Sequence, residues 1–266
     1  MQYALNLSQR WRAGRPSFAP PAGCVRPADY TIEEISRREA AVLLAAHHYL
    51  ATTPVAVFCA GMFHKPGLSP ARLVGVAVYG MPGSKDAVRR RCGMTADEGL
   101  ELTRFCLLDE VPFNGETMCI AAANRLLRQT RPKVRAVIAC SDPHPRSDAQ
   151  GHTTFAGHIG TVYRASNAVW CGHGAPRRAY LCADGSMLAD RGFSKIRRGR
   201  PGAKAAEARI TAAGAPARQY GEDPGEWLSR ALASPAFRSI QHPGVRVYAM
   251  PLVPGARAQI EEAACG

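Results

Sequence analysis

The clearest hydrophobic pattern in the chain lies between Gly99 and Gly172. An apolar segment at 99–110 precedes a polar loop at 111–117, an amphipathic segment at 118–129 and a second apolar segment at 134–142. The second apolar segment contains the run AVIAC, whose continuous apolarity is typical of a strand buried on both faces. The order predicts a strand–helix–strand unit, followed by a second helix and a short strand within GHIGTVYRASNAVWCG.

The chain upstream of this unit is predicted to hold a helix and a hairpin. Residues 1–30 are rich in Pro and Arg and predict an extended arm with one short strand. A helical pattern begins at Thr31, where Thr31 and Glu34 have the spacing of a capping box, and it ends near Tyr49. The segments PVAVFCAGMF and RLVGVAVYGMP then predict an antiparallel hairpin, because they are β-rich and separated by Pro and Gly.

The chain downstream changes character after Trp170. The dipeptide Asp184–Gly185 predicts a hairpin turn within RAYLCADGSMLA. Residues 191–218 are basic and weakly patterned, apart from a possible helix at 204–212. A helix in PGEWLSRALASP and a strand in GVRVYAMPLV follow, and the last dozen residues are expected to fray.

Composition limits the class of protein. The 266 residues carry 34 Lys and Arg against 21 Asp and Glu, a net charge of +13, which suits a polyanionic partner or simply reflects an arginine-rich composition. The nine Cys are scattered and mostly lie in apolar runs, which indicates reduced thiols rather than a disulfide frame. No secretory leader or membrane span is predicted, and we expect a cytoplasmic protein without membrane partners.

One predicted strand carries charge. In strict alternation Glu101, Thr103 and Phe105 share one face, whereas Leu102, Arg104 and Cys106 share the other. Charges in an apolar strand are costly unless they are paired or face a cleft. Two interpretations stay open: a structural Glu–Arg ion pair, or a site in which Arg104 holds an anion and Glu101 accepts a proton.

Further candidate chemistry lies at the ends of the predicted elements. His48 and Tyr49 end the first helix, where an imidazole serves as base or metal ligand, or both residues merely cap the helix. Ser141 and Asp142 directly follow the buried strand, the edge at which α/β sheets place ligands. A zinc set can also be drawn, although Cys140 is expected to point into the core; its members are Cys140, His144, Cys171 and His173.

Four motifs taken together resemble the Mom family of phage DNA-modification proteins. They are HHYL at 47–50, ELTRF at 101–105, PFNGET at 112–117, and SD at 141–142 with GHIGTVYRASN at 157–167. The order of elements is also similar to the GCN5-related N-acetyltransferase (GNAT) superfamily. The likeness covers roughly residues 30–250, and the segment 143–156 looks like an insertion, which leaves open whether Asp142 or Asp148 matches the family aspartate.

The resemblance implies a fold and a domain plan. We expect an α/β, GNAT-like fold whose central mixed, mostly antiparallel sheet is flanked by helices. The expected segments are an arm at 1–30, a catalytic domain at 31–190, a basic C-terminal elaboration at 191–250 that packs on the same domain, and a tail at 251–266.

The resemblance also implies an activity. The family converts the N6 amine of adenine in double-stranded DNA into a carbamoylmethyl derivative, protects phage DNA from restriction and is associated with iron. The protein would be phage- or prophage-encoded and act in the cytoplasm of the bacterial host. The implied catalytic residues are Asp142, Tyr163, His48, Tyr49, Arg104 and Glu101, and an Fe(II) set would comprise His48, Asp142 and His158.

The donor of the added group stays unknown. A typical GNAT grips the pyrophosphate of acetyl-CoA with a glycine-rich loop at a helix N-terminus, whereas PFNGET offers only Gly115 and adds the negative Glu116. We therefore expect a different small-molecule donor. Its predicted contacts are Asn114, Gly115, Thr117 and Ser141, although Asn114 and Thr117 are equally suited to capping the helix.

The basic stretch after residue 190 is predicted to follow a phosphate backbone, or to be a solvated loop. Its candidate contacts are Lys195, Arg197, Arg198 and Arg200. Because a base within a duplex cannot reach a buried catalyst, the enzyme would flip it onto an aromatic side chain such as Tyr49, Tyr163 or Trp170. Two alternatives stay open: a conventional acyl-CoA-dependent N-acyltransferase and a non-catalytic nucleic-acid-binding module.

Overall fold

The computed structural model describes residues 8–19, 23–67, 69–84, 86–188 and 190–265. Within these ranges the main feature is a seven-stranded sheet. Its strands, in spatial order, are β10 (Val169–His173), β13 (Arg246–Pro251), β7 (Ala136–Ser141), β6 (Gly99–Leu107), β5 (Arg72–Gly80), β4 (Phe58–His64) and β3 (Tyr30–Glu34). Only β6 and β7 pair in parallel. The predicted α/β class with a mixed, mostly antiparallel sheet is confirmed.

The described residues also form three smaller strand pairs and eight α-helices. The pairs are β1 (Ser8–Arg12) with β2 (Arg15–Ala19), β8 (Arg146–Ser147) with β9 (Thr153–Phe155), and β11 (Arg177–Leu181) with β12 (Arg238–His242). The helices are α1 (Arg37–His47), α2 (Ala87–Cys92), α3 (Gly115–Thr130), α4 (Thr161–Ala165), α5 (Asp190–Arg197), α6 (Ala203–Ala212), α7 (Pro224–Leu232) and α8 (Ala256–Cys265). No described helix is long and apolar enough to cross a membrane.

Both faces of the large sheet are covered by helices. Alternation along β5 sends Val76 and Val78 into a cluster with Leu44 of α1, whereas Ala77 and Tyr79 join a cluster with Ile120 of α3. A third cluster packs α2 and α8 against β7, β10 and β13. The sheet therefore presents α1, α2 and α8 on one face and α3 on the other.

The strand–helix–strand unit formed by β6, α3 and β7 is confirmed. Its parallel pairing runs only from Gly99–Ala136 to Leu102–Ala139. Beyond that point β6 continues against β5 alone, and Ser141 at the end of β7 pairs with Arg246 of β13. The two strands thus separate towards their carboxyl ends. The polar residues at these ends therefore border a gap between β6 and β7.

Several sequence predictions about local structure are wrong. Residues Tyr30–Glu34 form β3, which pairs with β4, so the capping box of α1 is made by Ser36 and Glu39 rather than by Thr31 and Glu34. The residues expected to fray form α8, because Ile260 is buried in the core. The basic stretch begins with an ordered helix, α5. The predicted hairpin at Asp184–Gly185 forms only one β-bridge, between Leu181 and Met187, because β11 pairs with β12 instead.

Contacts divide the chain into two compact units. The first contains the chain up to Pro143, His158–Gly174 and the chain from Val245; the second contains His144–Gly157 and Ala175–Gly244. The core of the second unit joins α5, α6 and α7 around the buried Trp227. These divisions do not coincide with the predicted boundaries at residues 30, 190 and 250, and the packing of the basic elaboration on the catalytic domain stays a prediction.

Candidate functional site

His48 lies at the C-terminal end of α1 and is buried, with only 6% of its surface exposed. Its Nδ1 accepts a hydrogen bond of 2.9 Å from the Leu50 backbone N–H. Burial, with smaller contributions from Arg104 and His158, lowers the pKa of His48 to about 3. The imidazole is therefore neutral at physiological pH, and because Nδ1 is an acceptor, its proton lies on Nε2. In this state His48 is a hydrogen-bond donor and not a base.

Tyr49 contacts two other aromatic rings. Its ring lies 4.4 Å from that of His48 and 4.3 Å from that of Trp11 in β1. The contact with Trp11 has no signal in the sequence, because it joins two segments that are distant in the chain. The ring centroids of Trp11 and His48 are themselves 6.2 Å apart, so the three rings form one compact aromatic group.

Glu101 and Arg104 face the same region because β6 contains a bulge. The register shifts between the pairs Val78–Arg104 and Tyr79–Leu102, so Thr103 is an extra residue. As a result Leu102 lies in the core cluster of α3, whereas Cys106 lies in the cluster of α1. The predicted strict alternation, which grouped Leu102 with Arg104 and Cys106, is therefore wrong.

Arg104 is held by backbone carbonyls near the end of α1. Its Nε donates to Thr52 O at 3.2 Å, and its Nη1 donates to Thr103 O at 2.6 Å. Burial lowers the pKa of Arg104, whereas nearby Tyr49 and Glu101 raise it. A guanidinium remains charged in proteins. Arg104 therefore provides an oriented positive charge beside Tyr49 and His48.

Ser141 and Asp142 follow the separated end of β7, and both are buried. The Ser141 Oγ has no hydrogen-bond partner among the described residues. The Asp142 carbonyl accepts from the His158 backbone N–H at 2.8 Å, which brings the two candidate residues together. Asp148, in the second unit, accepts instead from the backbone N–H groups of Gln150 and His152 within a local turn.

Tyr163 lies in α4 and is buried against Tyr248, with ring centroids 5.7 Å apart. Burial raises the pKa of Tyr163, and nearby Tyr49, Cys140 and Glu101 raise it further. Its phenol is thus neutral and can donate a hydrogen bond. The electrostatic contacts place Tyr163 in the same cluster as Tyr49 and Glu101.

The expected Fe(II) set does not fit this arrangement. Within the described ranges, no group of three or more His, Cys, Asp or Glu side chains is placed to hold a metal ion. A ligating imidazole usually donates from its second nitrogen, whereas Nδ1 of His48 accepts and Nε2 carries the proton. His48, Asp142 and His158 therefore do not form a metal site in this arrangement.

The zinc alternative is not assembled either. Cys140, His144, Cys171 and His173 all lie in the described ranges, and they do not form a group placed to hold a metal ion. Burial, with a contribution from Glu101, raises the pKa of Cys140 to about 12, as expected for a thiol that points into the core.

Hydrogen bonds from within the loop and from Arg10 of β1 hold the loop between β6 and α3 in place. The Arg10 side chain, 4% exposed, donates to the carbonyls of Leu108 and Val111 and pairs with Glu116 at 2.8 Å. The backbone N–H groups of Val111, Phe113 and Gly115 donate to backbone carbonyls. These N–H groups are therefore engaged, whereas a phosphate cradle needs free ones. The buried Arg10 was not identified from the sequence.

The predicted donor contacts in this loop have different surroundings. Gly115 is required by packing, since a Cβ there would overlap Val111. Asn114 precedes α3 with φ 67° and makes no side-chain cap, contrary to the capping interpretation, while Thr117 Oγ1 donates to the Asn114 carbonyl. Asn114 and Thr117 line a cleft of about 440 Å³ whose other residues include Met118, Ser166 and Asn167.

The predicted DNA contacts belong to the second unit. Lys195 and Arg197 lie on α5, and Arg198 and Arg200 lie in the turn before α6. All four side chains are exposed, and none forms an ion pair with another described residue. The two apolar residues Phe193 and Ile196 anchor α5 in its core.

The structure thus separates the predicted residues into three groups. The first is a partly buried cluster near the end of α1 and the separated ends of β6 and β7, which we call the central cluster: His48, Tyr49, Glu101, Arg104, Asp142, His158 and Tyr163, with Ser141 at the same strand end. The second is Asn114 and Thr117 in the cleft at α3, and the third is the basic turn of the second unit.

Among the comparisons with known proteins, the family comparison agrees with the resemblance. Among solved structures, a tandem GNAT protein from the clavulanic acid biosynthesis pathway, without acetyl-CoA, is similar with a TM-score of 0.42 and 11% identity, covering 85% of this chain and 99% of that chain. No curated protein sequence matches. The sequence model of the Mom protein family matches residues 29–219, more than half of the chain. The chain belongs to the Mom protein family.

Proposed function

We propose that this protein is a transferase that converts the N6 amine of adenine in double-stranded DNA into a carbamoylmethyl derivative and so protects DNA from restriction. The family match over residues 29–219 carries the proposal. The central cluster supports it, because buried polar groups with perturbed pKa values are typical of catalytic sites. The setting that fits this activity is a phage- or prophage-encoded protein in the bacterial cytoplasm.

The proposed reaction replaces one N6–H bond of adenine by an N6–C bond to the methylene carbon of the donor. Asp142 accepts the proton from the amine, and the leaving group of the donor departs with the bonding electrons. Tyr163, whose raised pKa keeps its phenol neutral, donates a hydrogen bond that positions the base. Tyr49, in contact with Trp11 and His48, is proposed to provide a face for stacking.

The positively charged and hydrogen-bond-donating groups of the central cluster suit the second substrate, the donor of the added group. The Arg104 guanidinium and the Nε2–H of His48 can stabilise negative charge that develops on the leaving group or carbonyl of the donor. Glu101, on the same face as Arg104, is proposed to orient the guanidinium. Neither His48 nor Arg104 requires a metal ion for these roles.

We propose that the donor contacts Asn114 and Thr117 in the cleft at α3 and Ser141 at the end of β7. Amide and hydroxyl groups suit a neutral polar donor such as one carrying an amide. The engaged N–H groups of Val111, Phe113 and Gly115 support a donor without a pyrophosphate. DNA would also contact the exposed Lys195, Arg197, Arg198 and Arg200.

Mass spectrometry of nucleosides from bacteria expressing the wild type and Asp142→Ala tests the proposal. We expect a modified deoxyadenosine with the wild type and its loss with Asp142→Ala, provided that both proteins accumulate in folded form. Unmodified DNA with the wild type, together with tight acetyl-CoA binding in calorimetry, would instead show an acyl-CoA-dependent acyltransferase. Full protection by Asp142→Ala, lost on charge reversal at Arg197, Arg198 and Arg200, would show a non-catalytic DNA-binding protein.

A further inference from the structure

Exposed apolar side chains border the central cluster. Leu50, Val55 and Val57 lie on the segment that follows Tyr49, and Met81 follows β5. Val55 is 85% exposed and Met81 is 56% exposed. The two chain segments are neighbours, because the Val57 backbone N–H donates to Tyr79 O at 2.8 Å. We call Leu50, Val55, Val57 and Met81 the apolar rim.

The backbone of the rim is fixed from behind. Arg37 donates to the carbonyls of Thr53 and Pro54 at 2.9 and 3.0 Å, and Arg104 donates to Thr52 O. Gly80 permits close approach, since a Cβ there would lie 2.7 Å from Val55 O. The carbonyls of the segment thus point towards the protein, and the rim is directly linked to Arg104 of the central cluster.

Exposed arginines follow the rim along the chain. Arg89 and Arg90 lie on the short helix α2, and both are exposed. Arg90 donates to Ser84 Oγ at 3.2 Å, which holds α2 against the segment after Met81. That segment is in turn joined to the cluster, because Gly83 N–H donates to Glu101. Arg89 pairs only loosely with Asp86, at 3.7 Å.

We infer that the apolar rim contacts the base stack of duplex DNA and fills the space left by the extruded adenine, while Arg89 and Arg90 bind the flanking phosphates. This inference rests on the proposed function. Enzymes that act on a base must extract it from the stack, and apolar wedges beside arginines are a means of unstacking DNA. The positive charge of α2 favours a polyanion over an uncharged apolar partner.

Fluorescence of 2-aminopurine tests the inference with the full chain. The probe replaces an adenine in a duplex taken from DNA that the wild type modifies, and its emission rises when the base leaves the stack. We expect the wild type to raise the emission and Val55→Ser/Met81→Ser to lose most of that rise. Val42→Ser is the matched control, because Val42 is an exposed apolar residue on α1 outside the rim.

The arginines are tested by the salt dependence of DNA binding. Each lost phosphate contact lowers the slope of log affinity against log salt by about 1, so Arg89→Gln/Arg90→Gln should lower it by about 2. Arg125→Gln/Arg128→Gln, exposed on α3 at the other face of the sheet, should leave it unchanged.

The outcomes separate this inference from the proposed function. If the wild type neither binds nor modifies DNA, both are wrong. If the wild type modifies DNA but the rim variant raises the emission as strongly as the wild type, only the rim assignment is overturned. An unchanged salt slope in Arg89→Gln/Arg90→Gln overturns the phosphate assignment. If Val42→Ser loses as much of the 2-aminopurine emission as the rim variant does, the effect is not specific to the rim, and the rim assignment is overturned as well.

Discussion

The loop between β6 and α3 and the end of α1 differ in how their polar groups are used. In the loop, Arg10 donates to the carbonyls of Leu108 and Val111, and the N–H groups of Val111, Phe113 and Gly115 donate to backbone carbonyls. At the end of α1, buried and partly buried side chains with perturbed pKa values converge, among them His48, Arg104 and Tyr163. The difference indicates that the loop is a structural element and that the chemistry depends on side chains of the central cluster.

The largest expected effect concerns His48 and pH. The folded pKa of about 3 lies below the ordinary value of 6.5, so the unfolded state binds the proton more readily. The stability associated with His48 is complete above pH 6.5 and falls as pH drops towards 3, by up to about 5 kcal/mol. Denaturation at pH 7 and pH 4 should show a smaller loss for His48→Gln than for the wild type.

His47, the half-buried neighbour of His48, provides the control for this prediction. His47→Gln should keep the acid sensitivity of the wild type. If the His48 imidazole titrates near pH 6.5 by NMR, burial does not lower its pKa and this prediction is wrong.

Removing Arg10 should destabilise the loop. Arg10→Ala leaves Glu116 without its partner and two carbonyls without a donor, and we expect a loss of about 3 kcal/mol in the free energy of unfolding. Arg12→Ala, at an exposed position of the same strand, should change stability by less than about 0.5 kcal/mol. Equal stability of Arg10→Ala and the wild type would mean that Arg10 does not hold the loop.

The smallest stability effect is expected at Asn114. Its φ of 67° suits glycine, so Asn114→Gly should preserve or slightly raise stability, by about 0.5 kcal/mol. Because Asn114 lines the proposed donor cleft, the yield of modified deoxyadenosine should nevertheless fall.

Ala13 provides the matched control for Asn114. It has φ 48° in the turn between β1 and β2, outside the cleft, so Ala13→Gly should be similarly stable and fully active. A wild-type yield of modified deoxyadenosine with Asn114→Gly would show that Asn114 does not contribute to the donor site.

The sequence predicted the elements whose signals are local. The continuous run in β7 and the amphipathic pattern of α3 indicated a β6–α3–β7 unit, and the structure confirms it. At the start of α1 two capping boxes compete, and the sequence alone does not decide between Thr31–Glu34 and Ser36–Glu39. The pairing of β3 with β4 decides, because it extends the backbone through Glu34.

The site was predicted as a set of residues but not as an arrangement. The stack of Trp11 on Tyr49 and the anchoring of the loop by Arg10 join distant segments, so no local pattern reveals them. The bulge at Thr103, which sets the face of Glu101, has no signature such as glycine or proline. Burial of His48 likewise depends on the surrounding fold. The catalytic and DNA-binding assignments themselves stay predictions.

The most direct measurement is the yield of modified deoxyadenosine per folded protein in cells that express Arg104→Gln, compared with the wild type and Arg125→Gln. Arg104 belongs to the central cluster, whereas Arg125 is exposed on α3 at the opposite face of the sheet. Our account predicts loss of most of the modification in Arg104→Gln and a wild-type yield in Arg125→Gln. A wild-type yield in Arg104→Gln, or no modified deoxyadenosine with the wild type, would contradict it.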